Sequence, residues 1–272
     1  MAFVAVPQPF DFELTTERFR AFGPDLANLW HEGGIDRVVG GREVRIERAP
    51  GGVDVEPLDD EIGRVVLKLL GAEFDLEGFT PDDPVLAAEV ARLRGLRPAL
   101  APDPFEMLVG AITAQQISLR AALAVRNRFV ERYGVRAERA YAFPAPERVA
   151  AAEPEELTAL GFSRAKAKYV LGLARSELDF KALAELPDDE VKAQLIQLAG
   201  VGEWTADWFL ARHLARPRAW PAGDLALRYA VSAFYGDGRV FSIPEVRELG
   251  ARFDPFQNLT AHYLLVANRN PG

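Results

Sequence analysis

The sequence predicts an α+β domain over residues 1–98 followed by an all-α domain over residues 99–272, and three observations point that way. Alternation of apolar and polar residues is confined to the first hundred positions. Beyond them, capped stretches with helical spacing follow one another closely. The charge divides at the same place. Residues 1–100 hold 19 acidic and 11 basic residues, which accounts for the whole net charge of -8, while residues 101–272 hold 21 of each.

In residues 42–56, Val44 and Ile46 precede the turn Pro50-Gly51-Gly52, and Val53 and Val55 follow it, which predicts a β-hairpin. Ile62, Val65, Val66 and Leu69 share one face of a helix over 61–70, and residues 84–96 are also helical in pattern. The joint at Arg97-Pro98 is too short for a flexible linker. In PDPFEMLVGAITAQQIS, Asp103 is the N-cap, Pro104 the first helical residue and Glu106 the partner in a capping box, with Phe105, Leu108, Val109 and Ile112 on one face. Further helices fit residues 119–132, 147–152, 154–160, 164–177, 188–197, 203–215, 225–235 and 244–251.

A chain of 272 residues with 49% hydrophobic and 26% charged residues is a soluble globular protein by composition. No run approaches the roughly 18 apolar residues of a membrane span. The start MAFVAVPQPFDFE has no basic flank, which predicts a cytoplasmic protein without a secretory signal. The absence of cysteine excludes disulfides, thiolate catalysis and thiolate-held zinc or iron-sulfur clusters. His31, His213 and His262 fit no metal-ligand spacing. The negative net charge argues against a phosphate-bearing partner, yet residues 117–139 hold six arginines against two acids. Residues 161–176 hold Arg164, Lys166, Lys168 and Arg175 with no acid. Each stretch reads as a local basic surface or as a solvated helix face.

The segment DDEVKAQLIQLAGVGEWTADWFLAR is a helix, a tight turn and a second helix. Gly200 and Gly202 let another surface approach the main chain, and the free N–H groups opening the second helix can hold an anion without any lysine. The alternative is a plain helix-helix turn. The motif LAGVGEWTADWFLAR, with Asp224 twenty residues after Trp204, resembles the helix-hairpin-helix DNA glycosylases, most closely the 3-methyladenine DNA glycosylase II type. Residues 105–134, 143–174 and 253–269 match the same family in order, so the resemblance covers nearly all of 101–269. The first segment is similar to the family's extra N-terminal domain, half of a TATA-binding-protein fold.

The resemblance implies a base-excision enzyme that flips a damaged purine from double-stranded DNA and cuts its bond to C1′. It makes Asp224 the catalytic carboxylate, stabilising an oxocarbenium-like sugar; the plainer role for Asp224 is N-cap of the helix from Leu225. Asp188 and Asp189 in LPDD imitate the family's acid, but suit the dipole of the first hairpin helix. Trp204 stands where strand-cleaving relatives carry a lysine, which implies a monofunctional enzyme. Trp204 and Trp208 are one turn apart and read as core residues or as walls of a base pocket. Leu265 replaces a pocket aromatic, and Gln116, beside Gln115 and Ser118, takes the place of the leucine wedge. Gly200, Val201, Gly202 and Thr205, with Gln115 and Gln116, form the expected DNA face. Neither metal nor required cofactor is implied beyond a monovalent cation on hairpin carbonyls, and the protein is expected to be a bacterial-type monomer working at the nucleoid. A glycosylase for deaminated or mismatched bases and a non-catalytic DNA-structure-binding protein are the competing readings.

Overall fold

Val44, Ile46, Val53 and Val55 point the same way, and in the computed structural model, which describes residues 1–270, all four are fully buried. They lie on β4 (Arg42–Ala49) and β5 (Gly52–Glu56), paired with Ile46 opposite Val55. Three strands that the alternation did not reveal complete an antiparallel sheet ordered β1-β5-β4-β3-β2: β1 (Ala2–Ala5), β2 (Leu29–His31) and β3 (Gly34–Val39). Helix α1 (Phe12–Thr16) leads into a single 3-10 turn, and α2 (Asp60–Leu69) lays Ile62, Val66 and Leu69 on the sheet. The strands at the sheet's edges are short, so their apolar alternation has too few residues to register in sequence.

The remaining chain is mostly helical: α3 (Pro84–Arg92), α4 (Pro104–Ala114), α5 (Leu119–Tyr133), α6 (Pro146–Ala150), α7 (Pro154–Ala159), α8 (Arg164–Ala174), α9 (Phe180–Ala184), α10 (Asp188–Ile196), α11 (Glu203–Arg212), α12 (Leu225–Tyr235), α13 (Ile243–Ala251) and α14 (Gln257–Arg269). A two-stranded ribbon, β6 (Val135–Arg136) and β7 (Tyr141–Ala142), follows α5. Helix α4 is apolar nearly all round because it is central, packed against α5, α8 and α11. No helix among the described residues is long and apolar enough to cross a membrane.

The two cores interleave across the joint, Ala99 being buried with the sheet. Phe74, Leu76, Phe79, Leu86, Leu93 and Leu96 are buried with the helical core, and α3 packs on α14. Arg97, 1% exposed, donates to the carbonyls of Pro7, Pro9, Gly71 and Phe74. One guanidinium thus ties the N-terminal segment, the end of α2 and the joint together, which makes the joint rigid.

A second tie is a buried ion network. Arg126 of α5 donates to Asp25 and, at 2.6 Å, to Glu106 of α4, while Arg37 of β3 reaches Glu106 at 2.6 Å and Asn28. Asp103 caps α4 as expected, accepting from Glu106 N at 2.7 Å, but the reciprocal half of the capping box is absent. The Glu106 carboxylate turns inward because two guanidiniums outbid a single backbone amide.

Candidate active site

Helix α10, a turn and α11 form the hairpin. Gly200 has φ +83°, and a Cβ there would stand 2.1 Å from the Tyr169 ring, so both backbone and packing require glycine. Gly202 is different: its φ is ordinary and a Cβ would meet open space. It caps α11 with no side-chain acceptor, which leaves the first amides of that helix free to bind an anion. Val201 is buried and anchors the turn by its side chain. Glu203, exposed beside these amides, is drawn off by Arg247 of α13 at 3.0 Å.

The turn from α4 to α5 is fastened to this hairpin. Gln115 Nε2 donates to Gly200 O at 2.8 Å and to Thr205 Oγ1 at 3.2 Å. Lys166 of α8 donates to the carbonyls of Thr113 and Gln115 at 2.9 and 2.6 Å, closing the end of α4. Gln116 between these anchors has φ +58° and stands exposed, followed by the exposed Ile117. Thr205 is only 1% exposed, and the half-buried Gln115 side chain directs its amide to the hairpin. Both tie the projecting turn to the hairpin. Lys166, read in sequence only as part of a basic surface, is a positioning residue.

Asp224 is the N-cap of α12, its Oδ1 accepting from Leu227 N at 2.8 Å. Its Oδ2 accepts from Trp204 Nε1 at 2.8 Å and Trp208 Nε1 at 3.0 Å. The one-turn spacing of the tryptophans brings both indole edges to the same oxygen. Three N–H donors from two helices therefore hold one carboxylate. Asp188, by contrast, opens α10 and pairs with Arg216 at 3.2 Å.

Asp224, Trp204, Trp208 and Leu265 line a cavity of about 240 Å³ together with Phe22 and Leu123. The buried network of Asp25, Glu106 and Arg126 also lines it. Trp208 is 5% exposed within the core and still forms part of the cavity wall. Phe209 beside it is fully buried in the core. Sequence reasoning missed Arg18, Arg212 and Arg269, which line the same cavity. Only Arg212 left a legible signal, since it lies one turn beyond Trp208 on the same face.

Residues 109–250 match the family model of the HhH-GPD superfamily base excision DNA repair proteins. The chain is similar to a DNA-3-methyladenine glycosylase of Bacillus subtilis, 29% identical over 226 residues that cover 78% of this chain and 75% of the relative. Among solved structures it is similar to the 3-methyladenine DNA glycosylase of Archaeoglobus fulgidus, with 28% identity, a TM-score of 0.88 and 99% of each chain covered. It is also similar to a Schizosaccharomyces pombe 3-methyladenine DNA glycosylase in complex with abasic DNA, with 25% identity and a TM-score of 0.61 over 71% of this chain and 95% of the other.

Proposed function

The chain belongs to the HhH-GPD superfamily of base excision DNA repair proteins, and from that premise we infer a DNA glycosylase that hydrolyses the bond between an alkylated base and its deoxyribose. The observation that carries this reading is Asp224: a carboxylate held by three N–H donors at the wall of a cavity, beside a hairpin with free helix amides. With the damaged base extruded into the cavity, C1′ stands at its mouth next to Asp224. The carboxylate stabilises the positive charge that develops on the sugar and orients the attacking water, which completes the displacement. Gln116, pushed outward by its left-handed backbone, fills the gap in the duplex. Alkylated purines such as 3-methyladenine are the leading substrates, because a cationic base leaves as a neutral molecule and needs no general acid.

The hairpin amides supply the phosphate contact, which is how a protein of net charge -8 can hold DNA. A monovalent cation on the hairpin carbonyls belongs to the same reading. Leu198 O and Gly200 O already accept from Val201 N and Gln115 Nε2, and each keeps a second lone pair that fits such an ion. Gly202→Asp puts a carboxylate where the phosphate docks, at a position with room for a side chain. Its affinity should fall for every duplex sequence in titrations run across a salt series. Unchanged affinity in the folded variant removes the hairpin from the interface.

A single-turnover panel of duplexes bearing 3-methyladenine, 7-methylguanine, hypoxanthine, ethenoadenine and uracil tests the activity directly. The expected product is an intact abasic site, with no strand nick and no borohydride-trapped adduct, because Trp204 occupies the position of a nucleophilic lysine. No lysine lines the cavity among the described residues. A trapped adduct overturns the monofunctional mechanism, and inactivity on the whole panel overturns the glycosylase assignment.

A further inference from the structure

Glu203 is the first residue of α11, at the end whose amides are free, and a carboxylate there repels the phosphate those amides hold. Arg247 of α13 closes on it, Nη2 donating to Oε1 at 3.0 Å. The side chains of Glu203 and Arg247 are 64% and 58% exposed, and an exposed ion pair contributes little to stability. Folding therefore does not explain why the pair stands at this end of the hairpin.

The helix that carries Arg247 is fixed to the segment that leads to Asp224. Val246 is fully buried, and its carbonyl accepts at 2.9 Å from Nε1 of Trp220, four residues before Asp224. At Gly250 a Cβ would stand 2.4 Å from the same indole nitrogen, so the ring lies directly on the helix backbone. Arg247 pairs with no other carboxylate among the described residues. The neighbouring acids are engaged: Asp207, one turn along α11, pairs with Lys192 at 2.6 Å, and Glu245 accepts from Ser242 N and from Arg239. A guanidinium offers five N–H donors in one plane, and Glu203 accepts from one of them. The others are left for a second anion, and a phosphate matches their fork. Glu203 thus acts in two opposite senses. Its charge weakens the attraction for DNA, while its position draws a cation 44 residues away to the anion-binding end of α11.

We propose that Arg247 is a DNA-backbone contact aimed by Glu203, so that one phosphate is shared between the α11 amides and this guanidinium. This rests on the glycosylase reading above, in which those amides hold a phosphate, and it extends the interface from the hairpin to α13. Glu203 is then a positioning residue and not a plain repulsive charge.

The test measures affinity for a duplex holding an uncleavable abasic analogue across a salt series, for wild type, Arg247→Met, Glu203→Gln and the double variant. Urea midpoints, which an exposed pair should leave unmoved, are the control for folding. Arg247→Met should bind roughly tenfold more weakly, the scale of a hydrogen bond to a charged group, and the slope of log affinity against log salt should flatten by about one. The same change in slope should appear when Arg247→Met is added to Glu203→Gln. No effect of Arg247→Met in that background shows that the arginine merely neutralises the acid, which overturns the proposal. Glu203→Gln alone should bind no more tightly than wild type, although a negative charge has left the interface, because Arg247 loses its guide. Tighter binding by Glu203→Gln overturns the positioning role. Wild type that binds the duplex with the expected salt dependence but excises no lesion refutes the glycosylase reading alone and leaves the contact standing.

Discussion

Asp224→Asn should lose roughly 100-fold to 1,000-fold in single-turnover excision of an alkylated purine, while still binding lesion-bearing duplex. In the proposed mechanism the carboxylate acts on charge that exists only in the transition state, so its loss should be felt in rate more than in affinity. The geometry adds a cost that a simple capping role does not predict. Asp224 presents two acceptor oxygens, one to Leu227 N and one to both indole N–H groups. Asparagine has a single acceptor, so either the helix cap or the tryptophan pair faces an amide donor. An unpaired polar group of this kind costs about 1–3 kcal/mol, and urea unfolding should show a loss on that scale. Trp204→Phe separates the effects: it removes one donor and keeps the charge, so excision should fall far less than in Asp224→Asn. Near wild-type excision by Asp224→Asn reduces Asp224 to a helix cap and removes the centre of the mechanism.

Glu106→Ala should destabilise the fold by about 3–5 kcal/mol, the loss expected when one member of a buried ion network is removed and its partners stay behind. Arg37 would keep only Asn28 and Arg126 only Asp25. Urea midpoints measured across pH test this further. Burial pushes the Glu106 carboxyl up, but Arg37 and Arg126 outweigh it and hold the group below its ordinary range. Asp25 is likewise opposed by burial and held low by Arg126 and Asn28. For groups with depressed folded values, the stabilisation is complete above the unfolded values, near pH 4, and is lost as pH falls through the folded ones. The wild type should therefore weaken in acid more steeply than Glu106→Ala. Equal midpoints for the two proteins at neutral pH would show that the network contributes nothing.

The hairpin was legible because its requirements are local. Two glycines, a buried valine and a following helix are all within a few residues, and the one-turn spacing of Trp204 and Trp208 fixes their common face whatever lies around them. The same holds for the 42–56 hairpin and for the caps Asp103 and Asp224, whose capping bonds, from Glu106 N and Leu227 N, reach only three residues along the chain. Glu106 shows where local reading fails. Its spacing satisfied a capping box, but Arg37 lies 69 positions away, and only folding brings that charge to within 2.6 Å.

What the sequence determined by itself, then, is the pair of architectures, the hairpin and the presence of a carboxylate at the right remove from it, because periodicity, turn chemistry and motif spacing act over short stretches. Tertiary structure alone decided what that carboxylate touches, that Gln115, Thr205 and Lys166 brace the projecting turn, and that the Arg212 guanidinium lies over the Trp208 indole. Those facts depend on which side chains meet across helices distant in the chain. Burial and charge pairing are properties of that meeting and of no single segment.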